Sequence, residues 1–175
     1  TKSPTTLVMA EGEIAYAPRT ENYHYEMELV FALKSGGTNI AQDEALSHIY
    51  GCAAGLDMTR RDLQNKAKEN RKPWDTAKDV DESAVITPLR QMADVPSVGA
   101  GRIHLSQNGT VKQDADLSEM VWSVPEIIAD LSTMYTLQQG DVIYMGTPAG
   151  VGAVARGDVL TGGVEGIGDF EVKIV

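Results

Sequence analysis

The stretch Tyr25-Glu26-Met27-Glu28-Leu29-Val30-Phe31-Ala32-Leu33 decides the fold class. It is rich in β-forming side chains and alternates, with Met27, Leu29, Phe31 and Leu33 on one face and Glu26 and Glu28 on the other. A period of two predicts a strand with one buried face. Working outward, Ser35-Gly36-Gly37-Thr38 turns the chain, and helix formers from Gln42 to Ile49, with Ala45 and Ile49 spaced for one buried face, predict a short helix. Asn108-Gly109, set between Ile103-His104-Leu105-Ser106 and Val111-Lys112-Gln113, predicts a type I′ hairpin because both turn residues tolerate positive φ. Ser123 followed by Glu126 predicts a capped helix of about three turns carrying Ile127, Ile128, Leu131 and Tyr135. Val142-Ile143-Tyr144-Met145 is short enough for a buried strand, and Phe170, Val172 and Ile174 alternate with Glu171 and Lys173 as in a strand with one wet face. Strands dominate and no regular βαβ alternation appears, so the chain reads as a β-rich α+β fold and not as a doubly wound nucleotide fold.

With 175 residues the chain reads as one domain, residues 1–175. Its 25 acidic against 15 basic residues, a net charge of -10, argue against nucleic-acid binding, which needs a basic surface to replace phosphate counterions. The sequence contains no 18-residue apolar stretch and no charged-then-apolar leader, so neither a membrane span nor a signal peptide is expected and the cytoplasm is the default compartment. The lone Cys52, in Gly51-Cys52-Ala53-Ala54, reads as a buried structural thiol.

Glu26 and Glu28, two apart on a strand, leave the same face with Cα atoms roughly 6 to 7 Å apart. Such a pair is either solvated or, if partly buried, holds a cation. Asp57 closes the small and apolar run from Ile49 to Leu56, where an unpaired carboxylate is costly; it either caps the segment that follows or joins the glutamates. Three carboxylates suit Mg²⁺, Mn²⁺ or Ca²⁺, and no Cys/His ligand spacing favours zinc. Arg61 and Gln64, three apart, share one face of a helical turn and together could hold a carboxylate; taken alone the pair reads as solvated surface. Lys78, in Pro73-Trp74-Asp75-Thr76-Ala77-Lys78, reads by default as exposed. Gly146-Thr147-Pro148-Ala149-Gly150-Val151-Gly152 lacks the Gly-Lys-Ser/Thr ending of a phosphate loop, and reads as a tight loop offering Thr147 and backbone N–H groups to a substrate oxygen.

Four motifs in this order carry a resemblance along nearly the whole chain: His24-Tyr25-Glu26-Met27-Glu28-Leu29; Gly55-Leu56-Asp57-Met58-Thr59-Arg60-Arg61-Asp62-Leu63-Gln64; Trp74-Asp75-Thr76-Ala77-Lys78; and Gly140-Asp141-Val142-Ile143 through Gly146 to Gly152. The set resembles the fumarylacetoacetate hydrolase family. The resemblance implies a mixed β-sandwich roll, a homodimer, and metal ligands at Glu26, Glu28 and Asp57 for Mg²⁺, Mn²⁺ or Ca²⁺. It implies that Arg61, Gln64, Lys78 and Thr147 surround a small 2,4-dioxo acid, an acylpyruvate, whose carbon–carbon bond is hydrolysed. The wording from Leu56 to Gln64 and from Pro73 to Lys78 points within the family to fumarylpyruvate as substrate, in aromatic catabolism. Oxaloacetate decarboxylation or 2-oxo acid tautomerisation at the same centre, and a silent cation-binding β-rich domain, are the competing expectations. Tyr25 stands where many relatives carry a histidine. The family's catalytic histidine and its glutamate partner come from a segment upstream of the metal-binding glutamates, and nothing before Glu26 matches it, so the general base is expected in such a segment; His24, His48 and His104 read as structural or surface residues.

Overall fold

The computed structural model describes residues 1–175, and its strands lie in three sheets with short helices at their edges. The central sheet runs in the order Leu7–Met9, Ala84–Ile86, Ile49–Asp57, Met27–Leu33 and Val142–Tyr144, with Arg90–Gln91 paired to the far end of Ile49–Asp57. A second sheet runs Thr110–Asp116, Arg102–Gln107, Val159–Val164, Gly168–Ile174 and Glu11–Ile14. A third joins Gly152–Ala153, Tyr23–Tyr25 and Thr59–Arg60. Both large sheets mix parallel and antiparallel pairs. The β-rich α+β expectation is met.

The odd-numbered face of Met27–Leu33 enters the main core, where Leu29 and Phe31 join Leu105, Leu160 and Val172 of the second sheet. Contrary to the expected wet face, all seven residues of the strand are buried. The strand lies between two others, and Val30 packs with Ala53 and Ile86 under Val142 and Tyr144 on the opposite side. Its neighbour Ile49–Asp57 is the longest strand and is built largely of Gly, Ala and Cys. Small residues are required there. A Cβ on Gly55 would lie 2.7 Å from both a Val30 methyl and the Val85 carbonyl, directly across from Glu28.

Asn108 and Gly109 take φ of 51° and 77°, as a type I′ turn demands, between Arg102–Gln107 and Thr110–Asp116. Gly168–Ile174 alternates buried and exposed residues over its last five positions. The expected helix over 42–49 is instead a single 3₁₀ turn at Ala45–His48, because Ile49 already belongs to the long strand; Ala45 and Ile49 are nonetheless both buried. The helix Val124–Met134 forms where its cap predicts, with the Ser123 side chain accepting from the Glu126 N–H and the Glu126 carboxylate accepting from the Ser123 N–H at 2.7 Å. Ser123→Ala is expected to lower unfolding free energy by about 1 kcal/mol, read as a shift in the urea midpoint. Cys52 is fully buried, and no helix is long and apolar enough to cross a membrane.

Candidate metal centre

Sheet register brings the three acids together. Glu26 bridges Tyr23–Tyr25 and Met27–Leu33, and its carbonyl accepts from the Asp57 N–H at 2.9 Å, so the two residues lie across from each other at the sheet's end. Glu28 follows on the same face of the strand. Oxygen atoms of Glu26, Glu28 and Asp57 all lie within 4.8 Å of one another. Glu26 and Glu28 are 7% and 4% exposed, which removes the solvated-pair alternative. Asp57 does not cap the following helix; the N-cap position belongs to Arg60, and the Asp57 carboxylate faces lysines.

Three cationic side chains ring this cluster. Lys78 ends the four-residue helix Asp75–Lys78, and its ammonium donates to Glu26 Oε2 at 2.7 Å and to Asp57 Oδ2. The default reading of Lys78 as exposed is therefore corrected: the short helix packs it inwards. Burial alone would pull its pKa down, but the facing Asp57 and Glu26 outweigh burial and hold it above the ordinary lysine value. Arg61 opens the helix Arg61–Glu69, with one guanidinium nitrogen on Glu26 Oε1 and another donating to Gln64 Oε1 at 2.6 Å. The expected Arg61–Gln64 face exists, and its solvated-surface alternative falls, since Gln64 is 4% exposed. Lys2 is the third cation, and the sequence offered no sign of it. It sits 3.0 Å from Asp57 Oδ1 and donates to the Met58 carbonyl at 3.0 Å and Ser83 Oγ at 2.6 Å. Burial lowers its pKa, against the pull of Asp57.

Glu28 is treated differently from its two neighbours. No cationic side chain pairs with it; Oε2 accepts only the Gly146 N–H, at 2.7 Å. That donor, expected to face a substrate oxygen, is thus committed to the acid cluster. Burial first, then repulsion from Asp57, push the Glu28 pKa from an ordinary 4.5 to about 8, despite the Gly146 contact. A raised carboxyl pKa means that the folded state binds the extra proton, so stability present at low pH is lost as pH rises. In chelator, thermal melts are expected to fall as pH climbs from about 4.5 to about 8, and Glu28→Gln should flatten that profile. A cation entering the cluster displaces the same proton, so its affinity should rise with pH over this window.

Thr147 follows Gly146 and is half-buried at the lip of a cavity of about 600 Å³ lined also by Met120, Trp122, Ile127 and Met145. A second cavity of about 860 Å³ opens onto Asp57, Lys78 and Lys2 beside Trp74 and Tyr144. The histidines make other contacts: His24 Nε2 pairs with Asn22 Oδ1 at 2.8 Å and His48 Nδ1 with Ser35 Oγ at 2.9 Å, while His104 lies within Arg102–Gln107.

A mixed β-roll with three convergent carboxylates, two buried and one half-buried, at the end of its central strands defines a class: β-rich proteins with an all-oxygen centre suited to a hard divalent cation. The particular family follows from likeness. The family model described as fumarylacetoacetate (FAA) hydrolase C-terminal matches residues 1–175, and the chain belongs to that family. It is 52% identical over 174 residues to a fumarylpyruvate hydrolase of a Ralstonia species, covering 99% of this chain and 90% of that protein. The crystal structure of fumarylpyruvate hydrolase from Pseudomonas aeruginosa in complex with Mn²⁺ and pyruvate superposes with a TM-score of 0.96 at 40% identity, over 99% of this chain and 76% of that one. The mitochondrial oxaloacetate tautomerase of Homo sapiens is 32% identical over 172 residues, covering 98% of this chain and 78% of that protein.

Proposed function

We propose that this protein hydrolyses fumarylpyruvate to fumarate and pyruvate at a divalent-cation centre held by Glu26, Glu28 and Asp57, with Mg²⁺ as the working ion and Mn²⁺ or Ca²⁺ as substitutes, in a homodimer. The observation that carries this reading is the convergence of three carboxylates within 4.8 Å inside a ring of Lys78, Arg61 and Lys2. The donor set fits such an ion: all oxygen, two of three ligands buried, and an ordinary cation ligand in Glu28, which lacks any cationic partner. Likeness to a fumarylpyruvate hydrolase and to a structure holding Mn²⁺ and pyruvate supports the substrate class. When bound, the ion supplies Lewis-acid polarisation of the substrate's 2-oxo group.

The chain's own residues bind and orient the substrate. Arg61, held by Gln64 through one terminal nitrogen and by Glu26 through the other, offers a substrate carboxylate the N–H groups that these two contacts leave over. Lys78, free to turn from Glu26 and Asp57 once a cation shares their charge, offers its ammonium to the oxygen that gains negative charge as the pyruvate fragment departs as an enolate. Thr147 supplies a hydroxyl donor to a substrate oxygen from the loop edge. Lys78 acts from the cavity that opens onto Asp57, and Thr147 from the neighbouring cavity beside Gly146, whose N–H is bonded to Glu28, so the two would hold an extended dianion from different sides of the acid cluster.

Tautomerisation or decarboxylation of oxaloacetate is the second reading, favoured by 32% identity to a tautomerase across the same residues. Turnover of fumarylpyruvate, acetylpyruvate and oxaloacetate, measured side by side with Mg²⁺ and Mn²⁺, tests it. The hydrolase reading expects fumarylpyruvate to lead in kcat/KM. Preference for oxaloacetate would replace it with the second reading, and cation binding without turnover of any of the three would replace both with a silent cation-binding domain.

A further inference from the structure

We infer that Gln113 is a positioning residue that sets the direction of the Thr147 hydroxyl proton, an inference that rests on the proposed contact of Thr147 with substrate. Gln113 belongs to Thr110–Asp116, in the second sheet, yet its side chain is fully buried and reaches the acid cluster's supports. A bulge puts it there. Val111 pairs with Ser106 and Gln113 with Leu105, which leaves Lys112 looped out; Gln113 then faces inwards while Val111 remains exposed.

The amide makes three hydrogen bonds. Oε1 accepts from the Met27 N–H at 3.1 Å, between the two glutamates, and Nε2 donates to Thr147 Oγ1 at 2.8 Å and to the Pro148 carbonyl at 2.9 Å. Two of these partners fix which way the amide points. A backbone N–H only donates and a carbonyl only accepts, so the oxygen must face Met27 and the nitrogen must face Pro148. Thr147 Oγ1 is thereby made an acceptor towards Gln113. Its single proton is left to point elsewhere, available to another acceptor in the cavity that Thr147 lines. The loop is held against this support: Gly150, at φ +102°, lies so close to the bulge that a Cβ there would fall 2.0 Å from the Lys112 carbonyl. One side chain therefore ties the strand of the glutamates to the loop of Thr147.

Gln113→Glu tests this with little change of shape. A protonated carboxyl keeps one acceptor for Met27 and one donor for Thr147; an ionised one can only accept, and draws the Thr147 proton towards itself. With fumarylpyruvate and Mn²⁺, the ratio of variant to wild-type kcat is expected to fall about tenfold as pH rises through the titration of the introduced carboxyl, roughly one well-placed hydrogen bond's worth. The fall should vanish in Gln113→Glu/Thr147→Val. Gln113→Leu should lose about tenfold in kcat, and combining it with Thr147→Val should cost little beyond Thr147→Val alone. A ratio independent of pH, or full additivity in the double variant, overturns the role of Gln113. If Thr147→Val itself turns over at the wild-type rate, the contact of Thr147 with substrate fails first, and the inference with it.

Discussion

Asp57→Ala is expected to abolish cation-dependent turnover, with a fall in kcat/KM of more than about 100-fold, since even the outer partners of metal ligands cost 10- to 100-fold when lost. Asp57 is the acid at the end of the strand Ile49–Asp57, bonded through its backbone to Glu26 and through its carboxylate to Lys78 and Lys2. Removing it takes away one oxygen donor and leaves two lysines facing each other across the gap. Isothermal titration with Mn²⁺ should show weakened cation binding in parallel with lost activity. Wild-type turnover by the variant would sink the metal assignment, whichever substrate is used.

The second large effect is expected at Lys78. Replacement by Met should lower kcat about 100- to 1,000-fold, the cost of removing one donor aimed at developing negative charge. Cation binding should behave differently. Lys78 is bonded to Glu26 and Asp57, and in the absence of metal it competes for their oxygens. Its loss should leave Mn²⁺ affinity equal to or tighter than wild type, so the two measurements move apart. A decrease in turnover matched by an equal decrease in cation affinity would assign Lys78 a merely structural part.

Much of the fold could be read locally, and the exceptions share a cause. The type I′ hairpin and the capped helix rest on short-range chemistry at Asn108-Gly109 and at Ser123 with Glu126, and both form. The strand through Glu26 and Glu28 was legible as a strand, but its second buried face was not, because the neighbours that cover Val30 lie far away in sequence. Ile49–Asp57 has weak β propensity in its Gly and Ala residues, and its glycines are explained by close approaches that only the structure shows, of Gly51 to the Arg90 carbonyl and of Gly55 to Val30 and the Val85 carbonyl.

The acid cluster was legible as a set of spacings, whereas its surroundings were not. Lys78 meets carboxylates 52 and 21 positions away, and Lys2 meets Asp57 across 55 positions of chain, so nothing adjacent in sequence distinguishes either from a surface lysine. Gln113 was hidden by its strand, whose flanking residues Lys112 and Asp114 are exposed; the bulge that turns it inwards leaves no mark in the sequence.

The ring of Lys2, Arg61 and Lys78 around Glu26, Glu28 and Asp57 has a thermodynamic consequence. Before a cation enters, acids and bases nearly match. Once a divalent ion is seated, the pocket carries surplus positive charge in a poorly solvated place, and a doubly negative ligand is what neutralises it. Cation and dianion are then mutual effectors: whatever factor the ion adds to the affinity for the dianion, the dianion returns to the affinity for the ion. Slower stripping of the ion by chelator in saturating substrate is the expected sign of that coupling.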